Sequence, residues 1–294
     1  MEVYIHADDY GVNLNQSRRI LECVDFGLNS VSIMPNSVYL KQCIELLPNN
    51  IKKSVHLNFV EGKCCSDSKE IPLLVNEEGL FDKSPQKIWL ISLMKKRELK
   101  RQLKIEIQAQ INCVVSYLPS DYKLRIDSHM HCHMIPLVFE VICELFADKP
   151  DALEHLRWSV ENISPIIGDF KAIKQIPIKN MIKQIVILIW SIVDKYKLKR
   201  YKLADKCGVF WGVMYSGQMY GEKVRRLGLK YCQLAMKKRQ SMEILFHPGG
   251  LQMDEEIPAG INKGGMEFYL SPNRGKEKQE IKNIKTILMH NGRL

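Results

Sequence analysis

The sequence is short of the long apolar runs that cross a bilayer: Ile185–Val193, reading IVILIWSIV, spans nine residues, where a span needs about twenty. The run favours a buried helix, with a basic amphipathic helix lying on a membrane surface as the alternative. Paired cysteines are missing too. The nine cysteines, an odd number, show no pair pattern beyond the adjacent Cys64 and Cys65, which argues against a disulfide scaffold and for a reducing, cytoplasmic setting. Val3–Ala7 is too short for a signal peptide and lacks a charged lead. No internal repeat stands out, and the glycine cluster Gly260–Gly265, GINKGG, lacks the GxGxxG spacing of a dinucleotide site.

What is present is a globular composition, 46% hydrophobic and 26% charged over 294 residues, with chain enough to bury a large core. The net charge of +10 would suit an acidic partner. Much of the excess lies in Lys95–Lys104, KKRELKRQLK, whose spacing reads as a solvated helix face, and in Lys171–Lys206. Nucleic-acid modules are not apparent, so no nucleic acid is expected as a partner. Short strands alternate with amphipathic helical segments, the pattern of a parallel α/β architecture. Residues 63–85 and 161–180 lack a sustained period and read as loops or insertions near the mouth of the fold.

The richest stretch is Arg125–His133, RIDSHMHCH. In an extended strand Arg125, Asp127, His129, His131 and His133 share one face, while Ile126, Ser128, Met130 and Cys132 take the other. Pro136 then stops the strand, and LVFEVICELFA reads as the following helix. Cys132, on the alternate face, reads as a packed thiol.

One strand rarely encloses an ion, so further ligands are sought at other strand ends. VYIHADDYG (3–11) ends in Asp8 and Asp9, which serve one site only if the strand ends there, as Gly11 suggests. SVHLNFVEG (54–62) places Ser54, His56 and Asn58 on one face. MEILFHPGG (242–250) ends in His247 and a Pro-Gly-Gly turn. Taken singly, the Asp pair reads as a cap or turn before a helix from about Asn15 to Phe26, His56 as a core histidine bonded to backbone, and His247 as a turn residue against Pro248. Taken together, the Asp pair, His56 and the histidine stretch supply a carboxylate and two imidazoles suited to a divalent ion with open positions, with His247 as a candidate proton donor.

ADDYG at 7–11, HLNFVEG at 56–62, IDSHMHCH at 126–133 and LFHPGG at 245–250 resemble, in order and spacing, the signature blocks of the YdjC/ChbG family of carbohydrate deacetylases. DKCGVFWGVMYSGQM at 205–219 and SPNRGKEKQEI at 271–281 extend the resemblance over nearly the whole chain. The resemblance implies a TIM-like (β/α) barrel related to polysaccharide deacetylases. It implies one catalytic domain over 1–294, with insertions at 63–85 and 161–206, and a site at the C-terminal strand ends. It assigns Asp9, His56 and His129 as metal ligands, Asp8 as catalytic base and His247 as general acid. Asp127, His131 and His133 are then left as supporting or substrate-facing groups. The family's residues depart here at His6, where Asn is common, and at Val60, where a hydroxyl residue is common; His6 shares a face with Asp8 in a regular strand.

The implied reaction is hydrolysis of the acetamide of an N-acetylated sugar, chitooligosaccharide-like or lipid-linked, with Mg, or else Zn or Mn, as the divalent metal. The implied partner is that sugar; contact with a membrane surface and a homodimer are left open. Two other classes stay in view. A noncatalytic metal-binding protein would fill every coordination position with its own ligands. An iron oxygenase would use two histidines and one carboxylate.

Overall fold

The computed structural model describes residues 1–290; the last four residues of the expected 1–294 unit lie outside them. Seven strands form one sheet: β1 (Val3–Tyr10), β2 (Ser30–Ile33), β3 (Lys52–Leu57), β4 (Leu124–Ser128), β5 (Leu153–Leu156), β6 (Val209–Trp211) and β7 (Met242–Phe246). Their order is β5-β4-β3-β2-β1-β7-β6, and every pairing is parallel. Strands buried on both faces need no polar alternation, which is why Val3–Ala7 and Met242–Phe246 are buried at every position.

The sheet departs from a complete barrel, because β5 and β6 are edges with no pairing between them among the described residues. It is nevertheless strongly curled. Arg157, just past edge strand β5, reaches Asp8 on β1 and Glu243 on β7, and His155 on β5 lies 3.3 Å from Glu243. Side chains from an edge can meet those strands only across the concave face of a barrel-like curve.

Helices cover the outside. In α4 (Lys96–Val115) the buried residues Leu99, Leu103, Ile107, Ile111 and Val114 recur every three or four positions, and the cations Lys96, Arg97, Arg101 and Lys104 face water, as their spacing predicts. α1 (Leu14–Leu21) is shorter than the expected 15–26 segment, and Asn13 caps it by accepting from the Asn15 amide at 2.8 Å. That leaves the Asp8–Asp9 pair free of the capping duty. α5 (Pro136–Leu145) begins with Pro136 at its first turn, where the missing N–H costs nothing. Gly249, at φ 74°, lies against α1 so closely that a Cβ would stand 2.8 Å from the Gln16 carbonyl oxygen; the turn after His247 therefore needs glycine there.

Residues 63–85 are tied by the antiparallel bridges Lys63↔Leu80 and Val75↔Phe81 and lead into α3 (Pro85–Met94). Between 161 and 206 lie a short α6 (Phe170–Ile173) and the 23-residue α7 (Ile178–Arg200). α7 corrects the expectation of a buried helix over 185–193. Ile187 and Trp190 are buried, but Ile185, Leu188, Ile189, Ile192 and Val193 are exposed, because one helix packed on one side of a sheet can hide only one of its faces. α8 (Glu222–Lys238), α9 (Lys263–Tyr269) and α10 (Asn273–His290) complete the chain. The nine cysteines are all free thiols, and no helix among the described residues is long and apolar enough to cross a membrane.

Candidate metal and proton-transfer site

β1 carries a bulge where its two aspartates fall. Its register with β2 shifts between Ala7 and Tyr10, and Asp9 adopts φ 66°. A regular strand would send Asp8 and Asp9 to opposite faces; the left-handed residue turns both into one site. The strand stops at Gly11, as expected, but one residue beyond the pair, so the bulge rather than a strand end brings the two aspartates together. Asp is among the few side chains that tolerate this conformation.

β3 and β4 supply the second corner. Their register sets His56 opposite Asp127, and His56 Nδ1 meets Asp127 Oδ1 at 2.6 Å. Asp127 Oδ2 also accepts from the Ser32 hydroxyl at 2.5 Å and lies 3.0 Å from Arg157 Nη2. With Nδ1 so occupied, His56 presents Nε2 to the interior. That atom is buried without a hydrogen-bond partner, 3.9 Å from Asp8 Oδ2 and 3.7 Å from Asp9 Oδ1.

The histidine stretch is not the continuous strand that its alternation predicts. β4 stops at Ser128, and His129–Met134 is a kinked six-residue 3-10 segment in which Met130 and His131 have φ of 53° and 58°. The turn, rather than Pro136, ends the strand, and it sends the three histidines to different places. His129 Nδ1 meets Asp9 Oδ1 at 3.0 Å, while its Nε2 lies 3.5 Å from Glu61 Oε1. His131 Nδ1 is 3.0 Å from the Ser159 hydroxyl. His133 is sealed in the core, its Nε2 3.0 Å from the Arg157 carbonyl and its Nδ1 2.7 Å from the Ser128 hydroxyl. It has no surface open to solvent. Cys132 is buried and its thiol pKa is pushed up by burial.

Two arginines to which the sequence reading gave no role hold the carboxylates. Arg157 donates from Nη1 and Nη2 to both oxygens of Asp8 at 2.9 and 2.8 Å, and Arg274 of α10 donates to Asp9 Oδ2 at 2.9 Å. A period-two pattern in LEHLRWS, placing His155 and Arg157 on one face at a strand end, is the signal that would have found the first. Arg274 sits inside the quoted SPNRGKEKQEI block, and Glu61 ends HLNFVEG. The departure at His6 is satisfied locally: its ring nitrogens lie 2.7 and 2.6 Å from the Ser30 and Ser32 hydroxyls, and Nε2 is 3.2 Å from Asp8 Oδ1. Val60 is buried.

The electrostatics follow from these contacts. Burial alone would raise Asp8, but Arg157, His56 and His6 outweigh it and hold the carboxyl well below the usual range. Asp9 is likewise held low against burial by His129, His56 and Arg274. Burial opposes the charge on both imidazoles, yet Asp8 and Asp127 carry His56 up to about 9, and Glu61 and Asp9 carry His129 up to about 10. His247 goes the other way: burial pushes it down to about 3, against the pull of Asp9 and Asp8. Its backbone N–H donates to Glu277 Oε2 at 2.5 Å, and its Nδ1 is an unpartnered buried atom.

Asp9, His56 and His129 offer ligand atoms within 4.8 Å of one another, as do Asp8, His56 and Asp127, and His6, Asp127 and Glu243. The third set is spoken for, since both nitrogens of His6 and both oxygens of Asp127 already have partners. The second needs Asp8 to leave its fork with Arg157. The first uses the orphaned His56 Nε2, and the contact an ion would have to open there, His129 Nδ1 to Asp9 Oδ1, joins two of its own ligands. A cation also suits the charge balance: Asp8, Asp9, Glu61, Asp127 and Glu243 crowd the site against Arg157, Arg274 and the protons that the carboxylates hold on His56 and His129, and an ion would take the place of those protons. These buried His and Asp groups can hold a metal ion, and burying charge without compensation is costly.

A parallel α/β protein with ionisable side chains gathered where its strands end belongs to a broad class of folds that place ligand sites there. The chain belongs to the YdjC-like protein family, whose model matches residues 2–279. It is 22% identical to a carbohydrate deacetylase of Xenopus laevis over 99% of this chain and 95% of that one. It is 24% identical to a chitooligosaccharide deacetylase of Proteus mirabilis over 83% and 79%. Other matches are partial: the chain spans 47% of a Danio rerio carbohydrate deacetylase and 61% of a Clostridium beijerinckii one. A crystal structure from Enterococcus faecalis, of a protein named for proposed cleavage of cellobiose phosphate, superposes with a TM-score of 0.58 at 19% identity, covering 96% of this chain and 95% of that one. At that identity the likeness speaks to the fold alone.

Proposed function

We propose that the chain is a metal-dependent hydrolase that removes the acetyl group from an N-acetylated amino sugar, acting as one catalytic unit with Mg as the ion. The observation that carries this reading is the orphaned, buried His56 Nε2, held by Asp127 in the orientation of a ligand and aimed between two carboxylates. The names of the carbohydrate and chitooligosaccharide deacetylases that it resembles support the substrate class.

Asp9, His56 and His129 would hold the ion. Bound there, a divalent ion supplies Lewis acidity, polarising the acetamide carbonyl and making a water acidic. Asp8, ionised and fixed by Arg157, takes the proton from the attacking water. Asp127 keeps the His56 proton on Nδ1, and Arg274 restrains Asp9 so that its other oxygen points inward. His247 hands a proton to the departing amine. In the free site the imidazole is neutral, so the proton it hands on is the one that Asp8 took from the water, passed to His247 as negative charge develops on the substrate. His131, held by the Ser159 hydroxyl at 3.0 Å, would be a substrate-facing group of the histidine stretch.

The test is acetate release from N-acetylated sugars of increasing length, with Mg²⁺, Mn²⁺ or Zn²⁺ and with chelator. Metal-dependent release supports the reading. Silence across the panel with the metal bound would point to a noncatalytic metal protein, and oxygen consumption with iron would point to an oxygenase.

A further inference from the structure

α7 shows water an apolar face. Between Met181 and Val193 every exposed residue is apolar, with Ile182, Ile185, Ile189 and Ile192 repeating at a four-three spacing; Ile189 and Ile192 are 57% and 60% exposed. α3 continues the patch, since Trp89 meets Trp190 of α7 with ring centroids 6.1 Å apart and Leu90, Leu93 and Met94 are exposed beside it. A cluster of this kind marks a contact site rather than ordinary surface.

The charges around the patch decide what covers it. Lys179 precedes the apolar stretch and Lys195, Lys199 and Arg200 follow it, all exposed, while Lys95, Lys96 and Arg97 follow the α3 part, outnumbering the exposed Glu98 beside them and Glu140, 3.9 Å from Lys96. The one acid of α7, Asp194, is buried and lies 3.0 Å from Lys197 Nζ. A four-three spacing of isoleucines would also suit a second copy of the helix. Two-fold pairing, however, sets each patch against itself. Run antiparallel about the middle of the helix, Lys179 meets the Lys195–Lys199 end of the copy; run parallel, each lysine meets its own counterpart. Either arrangement opposes cation to cation with no exposed acid on α7 to separate them. An anionic bilayer accepts the same face without conflict, taking isoleucine side chains among its acyl chains and lysines among its headgroups.

We infer that the α3–α7 face is a docking surface for an anionic membrane. The helix lies on the surface and does not span it. Its first turn stands at the end of the sheet that carries the site, with Asn180 Nδ2 donating to the Met214 and Ser216 carbonyls just past β6 at 3.3 and 3.1 Å. Docking therefore brings the mouth of the site beside the headgroup layer. The inference is independent of the reaction.

The experiment is co-sedimentation of the full chain with phosphatidylcholine vesicles, with and without phosphatidylglycerol, across a salt series. The protein is expected to sediment only with the anionic vesicles and to be released by salt. Ile189→Glu with Ile192→Glu should abolish binding, and reversing Lys195 and Lys199 should weaken it by about fivefold or more for each cation lost. Circular dichroism and acetate release from a soluble sugar should stay as in the parent. Failure of the parent chain to sediment with anionic vesicles overturns the inference. So does light scattering that shows a dimer split by the Ile189→Glu pair, which would give the face to a second copy.

Discussion

Arg157 and Asp8 stand 149 positions apart in sequence and are joined by two parallel hydrogen bonds, Nη1 to Oδ2 at 2.9 Å and Nη2 to Oδ1 at 2.8 Å. The same guanidinium meets Asp127 and Glu243, so one cation from the edge of the sheet serves carboxylates on three other strands. A fork of this kind fixes orientation as well as charge. Asp8 is thereby kept ionised, and its lone pairs are kept in place.

Removing that cation should be costly. Arg157→Gln leaves three buried carboxylates short of a partner, and a loss of about 3–5 kcal/mol is expected, as for one side of a buried ion pair. Arg157→Lys retains the charge but not the fork. It should keep more of the fold while losing most acetate release. Chemical denaturation beside the acetate assay checks both; equal stability of Arg157→Gln and the parent would contradict this account.

The proposed division between base and ligands separates by metal content. Asp8→Asn should bind the ion and lose turnover by two or more powers of ten. His56→Ala and His129→Ala should lose the ion first. Metal analysis after gel filtration tells these apart, and loss of metal to the same extent in all three variants would remove the distinction.

Asp127 is expected to act through His56. Asp127→Asn removes the charge that holds the proton on Nδ1, and metal affinity should drop by roughly 10- to 100-fold, the usual effect of losing such a partner. Competition titration with a chromogenic chelator measures it. An unchanged affinity would mean that the 2.6 Å contact has no bearing on the ion.

Acid should weaken the fold partly through His133. Burial, with Arg157 nearby, pushes its pKa down to about 4 from an ordinary 6.5. A depressed imidazole binds its proton more weakly when folded. Its contribution is therefore complete above about pH 6.5, declines as the pH falls, and is lost through about pH 4, to a limit of about 3 kcal/mol. His133→Gln, which can still donate to the Arg157 carbonyl, should be less stable at neutral pH and show a shallower decline in melting temperature over that window. A parallel decline in both proteins would assign the acid sensitivity to other groups.

Much of this site was legible because it lies at strand ends, where short apolar runs stop at polar residues. Asp8, Asp9, His56, His129 and His247 all occupy such ends, and Asp127 announces itself by alternation with His129. What alternation could not convey was backbone handedness. The left-handed turn at Met130–His131 breaks a pattern that looks regular in one dimension and separates His133 from His129. Arg157 and Arg274 were given no role for a different reason: each acts on an aspartate far away in sequence, and only the curl of the sheet makes them neighbours. The apolar run in α7 was legible as a helix. Its exposure was not, since composition does not say which face of a helix finds a partner.

The bulge at Asp9 also limits how this centre can be redesigned. At φ 66° Asp and Asn sit comfortably, whereas most other side chains face a backbone cost of roughly 1–2 kcal/mol. Exchanging this proposed ligand for Glu would thus strain the chain before any bond to an ion changed, whereas His, as at His131 with φ 58°, tolerates such a backbone. Selectivity in this scaffold is more open to adjustment at positions 56 and 129, or at the groups behind them, than at the aspartate whose backbone is already committed.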